Sequence, residues 1–149
     1  KADGTAVVGG PFATSAEVKT GTVTNKSIAP DALLAALGIS AAFTSAAQTI
    51  TSAGALTIAH GLGRRPVWRM VILKCLTAEN GYSIGDYILQ GGAGYANANR
   101  GLATRVDATN IYVRYGSQAT SCLAYMDNTT GGTVALTNTS WEVYFVVFA

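Results

Sequence analysis

Charge is scarce in this sequence of 149 residues. Asp, Glu, Lys and Arg make up 12% of it, against about 25% in typical soluble domains, and 10 basic residues over 8 acidic ones leave a formal charge of +2. The basic residues are scattered, so no extended patch faces a phosphate backbone and nucleic acid is not an expected partner. Histidine occurs once, at position 60, and cysteine twice, at 75 and 122. That set fits no metal-ligand spacing, and no metal or cofactor is expected. Cys75 and Cys122 sit in apolar, strand-like surroundings and read as buried free thiols, with a disulfide as the alternative. No apolar run approaches the ~18 residues that mark a membrane-spanning helix, and the front lacks the basic, apolar, small-residue order of a signal peptide. Membrane insertion is therefore not expected.

What the sequence does have is apolar surface and glycine. Hydrophobic residues make up 49% and glycines number 17. A chain of this length buries a real core, yet a lone copy with so few charges would be poorly solubilised. Cover by further copies of itself answers that shortage, and so does a Ser/Thr/Asn-rich exterior; both apply here. The sequence begins at Lys1, which reads as a processed chain or an excerpt with a shaft upstream.

Helix punctuation is concentrated between residues 13 and 38. Thr14 with Glu17 fits a capping box, and Gly21 suits a left-handed exit. Pro30 suits a first helical position, Asp31 the positive end of the dipole and Gly38 the stop, which predicts a helix from Pro30 to Leu37. Leu33, Leu34 and Leu37 fall on one face of it. Helices below ~12–15 residues are marginal alone, so that face needs cover from outside the helix.

From about Gln48 the pattern changes to short Val/Ile/Thr/aromatic runs between Gly/Asn/Asp turns, which is how an antiparallel β-sandwich or barrel reads. PVWRMVILKCL predicts a long strand and GDYIL a shorter one. RGLATRVDATNIYVRYG predicts a hairpin turning at Asp107 to Asn110, with Ile111, Val113 and Tyr115 on one face and Tyr112 and Arg114 on the other. The last strand, Trp141 to Phe148, is apolar at nearly every position except Glu142, and predicts cover on both faces by the core and by a second layer or a neighbouring subunit. The expected organisation is an extended segment and short helical neck over 1–45 and a mainly β head over 46–149.

Two stretches resemble a known family. ATSAEVKTGTVTNKSIAPDAL resembles the A-T-x-x-E-V-x-x-G-x-x-x-x-K-x-I-x-P-x-A-L element of bacteriophage tail-fibre proteins, where shaft joins head. LTIAHGLGRRPVWRMVILKCLTAENGYSIGD is similar to the start of the C-terminal head of such fibres. The resemblance implies a jelly-roll-like sandwich head and a homotrimer in which Leu33, Leu34 and Leu37 of three copies bury one another. It also implies a virion tail-fibre tip, made in the host cytoplasm, whose loops bind a host cell-surface glycan or outer-surface protein and whose N-terminal side meets other tail proteins. A structural virion protein such as a capsid-decorating spike is the alternative.

No catalytic set stands out. His60 has no nucleophile or orienting carboxylate at a recognisable spacing, and reads as a turn residue held with Gly61 and Gly63. Arg64, Arg65 and Arg69 form the densest basic cluster, expected to pair between subunits or at the solvent face with Asp86, Glu79 or Asp107, with a sulfated or acidic glycan as the alternative partner. Glu79 and Asp86 flank a turn with no sugar-cleft motif beside them, so a non-enzymatic protein is expected. The best recognition segment is Gln90 to Gly101, where Tyr95, Asn97, Asn99 and Arg100 stand on a glycine-rich loop. Tyr125 to Gly132, with Tyr125, Asp127 and Asn128, has the same character; a plain solvent loop is the competing reading for both.

Overall fold

The computed structural model describes residues 12–22, 26–36, 41–90 and 99–149. The chain divides into two units, the first running through Ala41 and the second starting at Ala42.

The first unit holds α1 (Ser15–Thr20) and α2 (Pro30–Ala36), which pack together. The Thr14 hydroxyl accepts the Glu17 N–H at 3.3 Å, the Glu17 carboxylate accepts the Thr14 N–H at 2.9 Å, and Gly21 closes α1 at φ 69°. Lys26 forms an ion pair with the other Glu17 oxygen. With the Thr14 bonds, it holds the Glu17 carboxyl down at about 2. Leu33 is 44% exposed, and Leu37 lies outside the described residues.

The second unit is mainly β. Its strands are β1 (Ala42–Thr44), β2 (Gln48–Thr49), β3 (Ala55–Ala59), β4 (Trp68–Cys75), β5 (Tyr87–Leu89), β6 (Leu102–Val106), β7 (Asn110–Tyr115), β8 (Leu123–Met126), β9 (Thr133–Leu136) and β10 (Trp141–Phe148). Their pairings are antiparallel in three sheets: β1 and β2 on one edge of β10, then β4 and β5 on its other side; β3-β7-β6; and β8-β9. The break falls before β1 rather than at 45/46 because Ala42–Thr44 pairs with Thr44↔Val146 through Ala42↔Phe148 of β10. Between β1 and β2, Ser45 stays in the ladder: its N–H reaches the Phe145 carbonyl at 2.9 Å, and its hydroxyl accepts the Phe145 N–H at 3.0 Å.

Alternation along β10 and β4 puts one row inside. Trp141, Val143, Phe145 and Val147 share a core with Leu73 and Cys75 of β4, Ile111, Val113 and Tyr115 of β7, Leu123 of β8 and Leu136 of β9. Each such large apolar side chain stabilises the fold by about 1.5–3 kcal/mol through burial, as an upper estimate. Cys75 and Cys122 are free thiols buried in this core, which pushes both thiols up.

The opposite row has no second layer of this chain over it among the described residues. Val146 is 8% exposed, but Trp68 at 68%, Tyr87 at 62% and Leu89 at 56% stand open on the same face as Met70, Ile72, Tyr144 and Phe148. A Lys74–Glu142 ion pair at 3.1 Å is the charge on this face.

Candidate functional site

The outer face of the β3-β7-β6 sheet brings two arginines, a tyrosine and a carboxylate together through strand register. On β7, Ile111, Val113 and Tyr115 face the core, so Tyr112 and Arg114 face out. Register places Arg105 and Thr57 on either side of Tyr112, and Ala103 and Ala55 on either side of Arg114. The Arg105 guanidinium carbon lies 3.6 Å from the Tyr112 ring centroid. Such stacking contributes about 0.5–1 kcal/mol at exposed sites and fixes the guanidinium plane. Tyr112 Oη donates to Asp107 Oδ2 at 2.9 Å, and Arg114 Nη1 donates to the Ala53 carbonyl at 2.9 Å.

Asp107 anchors the turn between β6 and β7. Its Oδ1 accepts the N–H groups of Thr109 and Asn110, each at 2.8 Å. Those two bonds, then the Tyr112 hydroxyl, hold its carboxyl well below the usual range. A depression of about 210 Å³ runs over Ala103, Arg105, Tyr112 and Arg114. It shares Ala103 and Arg114 with a second of about 370 Å³ that extends along Asn99, Arg100, Gly101 and Gly116.

The expected recognition residues fall in different settings. Tyr95 and Asn97 lie outside the described residues. Asn99 sits at φ 83° with its carbonyl accepting the Gln118 N–H at 3.1 Å. A Cβ on Gly116 would lie 2.4 Å from that same Asn99 oxygen, so the close approach of these backbones requires glycine. Arg100 turns onto Ser121, donating from Nε to its carbonyl at 2.9 Å and from Nη2 to its hydroxyl at 3.2 Å. The segment expected as a second loop is partly strand: Tyr125 and Met126 belong to β8, paired with Val134 and Thr133. Tyr125 packs against the core, Asp127 Oδ1 accepts the N–H groups of Thr129 and Thr130, and Asn128 Nδ2 donates to the Gly81 carbonyl at 3.1 Å. These groups are engaged in holding the β8-β9 turn.

His60 is 3% exposed. Its Nδ1 accepts the Leu62 N–H at 3.2 Å, which assigns the proton to Nε2, 3.2 Å from the Asp107 carbonyl. Its own N–H reaches the Thr109 carbonyl at 3.0 Å, and Gly61 and Gly63 take φ 66° and 68°. The carboxylates expected to meet the arginine cluster serve turns: Glu79 accepts from Thr137 and Trp141, and Asp86 accepts the Ser83 N–H at 2.7 Å. Among the described residues, no group of three or more His, Cys, Asp or Glu could hold a metal ion, and no helix is long and apolar enough to cross a membrane.

The chain matches no family model and no curated protein. Sequence reasoning missed Arg105 because its partner is across a strand pair. Alternation put Tyr112 and Arg114 on the outward face, and the hairpin register of Asp107 to Asn110 was the signal that would have added Arg105.

Proposed function

We propose that this chain is the homotrimeric tip of a phage tail fibre, a non-enzymatic receptor-binding head of jelly-roll-like sandwich form that attaches a virion to the bacterial surface. The observation that carries this reading is the outer face of the five-stranded sheet, where Trp68, Met70, Ile72, Phe148 and Leu89 leave an apolar surface beside one ion pair. At ordinary strand spacing and rise that face spans on the order of 500 Å². A standard interface takes about 800 Å² from each partner, so the face supplies more than half of one. With 12% charged residues in the chain, a second copy is the occupant that suits it. The resemblance of the neck and the HGLG segment to fibre proteins supports three copies, with Leu33, Leu34 and Leu37 as a further seam in the neck. Three weak receptor sites per tip then gain strength through effective concentration.

Sedimentation equilibrium of the chain, run beside binding to intact bacteria and envelope fractions, tests the reading. A trimer that binds envelopes is the expected result. A monomer at micromolar concentration overturns the assembly, and a trimer that binds no envelope indicates a capsid-decorating spike.

A further inference from the structure

We infer that the outer face of the β3-β7-β6 sheet is a binding site for an acidic saccharide, held through its carboxylate or phosphate oxygens by Arg105 and Arg114. The inference names a ligand class for the adhesive role proposed above, and rests on that reading only for the biological source of the sugar.

Arg105 is exposed, its plane is held over the Tyr112 ring, and among the described residues its guanidinium N–H groups make no hydrogen bond. An exposed arginine usually sweeps many rotamers. Here the stacking fixes the planar fork while leaving its donor edges unspent, which is the arrangement a two-oxygen anion needs. Arg114 stands diagonally across the β6-β7 pair, within about 7–8 Å at Cβ, with Nη1 pinned to the Ala53 carbonyl and the rest of the fork exposed. Among the described residues, Asp107 is the acid beside this pair, and both its oxygens are occupied, one by the turn N–H groups and the other by the Tyr112 hydroxyl. Two guanidiniums against one satisfied carboxylate leave the face positive.

The surroundings suit a sugar better than a bare ion or a polyanion. Ala55, Ala59 and Ala103 keep the flanking strands low, so a flat ring can approach. The exposed Thr57 hydroxyl lies opposite Tyr112, and the adjoining depression toward Asn99 gives room for further hydroxylated rings. Two arginines in a chain of formal charge +2 are too few for nucleic acid, whose affinity grows with the number of phosphates neutralised.

The experiment is calorimetric titration of the full chain with oligogalacturonate, with a phosphomannan fragment, and with neutral dextran oligosaccharide, at low and high salt. One acidic probe should bind, less tightly in high salt, and dextran should not; which acidic probe binds identifies the anion. Arg105→Gln and Arg114→Gln should each weaken binding by about tenfold or more, while the melting temperature falls only slightly through the lost stacking or the lost Ala53 bond. Tyr112→Phe keeps the aromatic plate but frees Asp107 Oδ2 beside Arg105, and should weaken binding modestly. Tyr112→Leu frees the same oxygen and also removes the plate, so it should weaken binding further, and the difference between the two variants reports the plate alone. The proposal is overturned if neither acidic probe binds, if the arginine variants bind as wild type, or if a single-stranded oligonucleotide binds more tightly than both sugars. Envelope binding separates this outcome from the proposed function. A tip that binds envelopes equally well as Arg105→Gln keeps the adhesive role and loses this site. A chain that binds the acidic probe through Arg105 yet no envelope keeps the site and loses the role.

Discussion

Glu79 accepts the indole N–H of Trp141, 62 positions along the chain, at 2.5 Å. The same oxygen accepts the Thr137 N–H at 2.9 Å, so one carboxylate ties the turn before β5 to the start of β10. Trp141 is 1% exposed, and its indole has no water to turn to. Glu79→Ala should lower stability by about 1–3 kcal/mol by leaving these donors unpaired, and Glu79→Gln, which keeps an acceptor, by less. Denaturant melting with an unchanged slope measures this. An alanine variant as stable as wild type would show that the bond does not hold in solution.

His60 makes the matching connection on the other sheet. His60→Ala leaves the Leu62 N–H and the Asp107 carbonyl without their ring partner, at about 1–3 kcal/mol for buried groups. Melting temperature should fall while envelope binding follows the folded fraction. Binding lost at full stability would assign the ring to the ligand instead.

Asp107 makes the β6-β7 turn acid-sensitive. Its folded carboxyl lies below the ordinary value of 3.8, so its contribution is complete above that pH and is lost as the pH falls through the lowered value. Amide resonances of Thr109 and Asn110 should therefore hold steady down to about pH 4 and shift only in stronger acid. Asp107→Asn should remove that transition. A shift of these amides centred near neutral pH would contradict the assignment.

The open apolar sheet face gives a separate test of assembly. Trp68→Lys combined with Leu89→Lys places charge where the isolated chain is already exposed, so the fold should change by no more than about 0.5 kcal/mol. The oligomer should dissociate, read as sedimentation mass. A pair of lysines that leaves the mass unchanged would move the subunit contact elsewhere, with Leu33→Asp and Leu37→Asp as the comparison in the neck.

Much of the β unit is legible in the sequence because alternation is a local signal. Ile111, Val113 and Tyr115 against Tyr112 and Arg114 can be sorted by counting in twos, and the Thr14–Glu17 cap is read from four residues. β1 and β8 escape that count. Ala42–Thr44 is too short to alternate visibly and owes its strand state to β10, and Tyr125 and Met126 run into a turn-rich stretch that masks their pairing with β9. Contacts between strands are harder still. Glu79 under Trp141 and Arg105 over Tyr112 are meetings set by register between strands, and a list of charged residues cannot say which will be neighbours. Arg100 shows the converse, since a loop guanidinium offered by composition is turned onto Ser121.

Ser45 carries a further consequence. WEVYFVVF is the segment best suited to recruit identical strands from other molecules, being long, apolar and rich in aromatic and β-branched residues. An unpaired edge along it would be an invitation to fibril growth. Two short strands close that edge without a third to fill the gap between them, and the Ser45 hydroxyl takes the Phe145 N–H that the gap would otherwise leave open. With β4 along its whole other side, β10 is sealed on both edges, so another molecule can meet this strand only through its side chains.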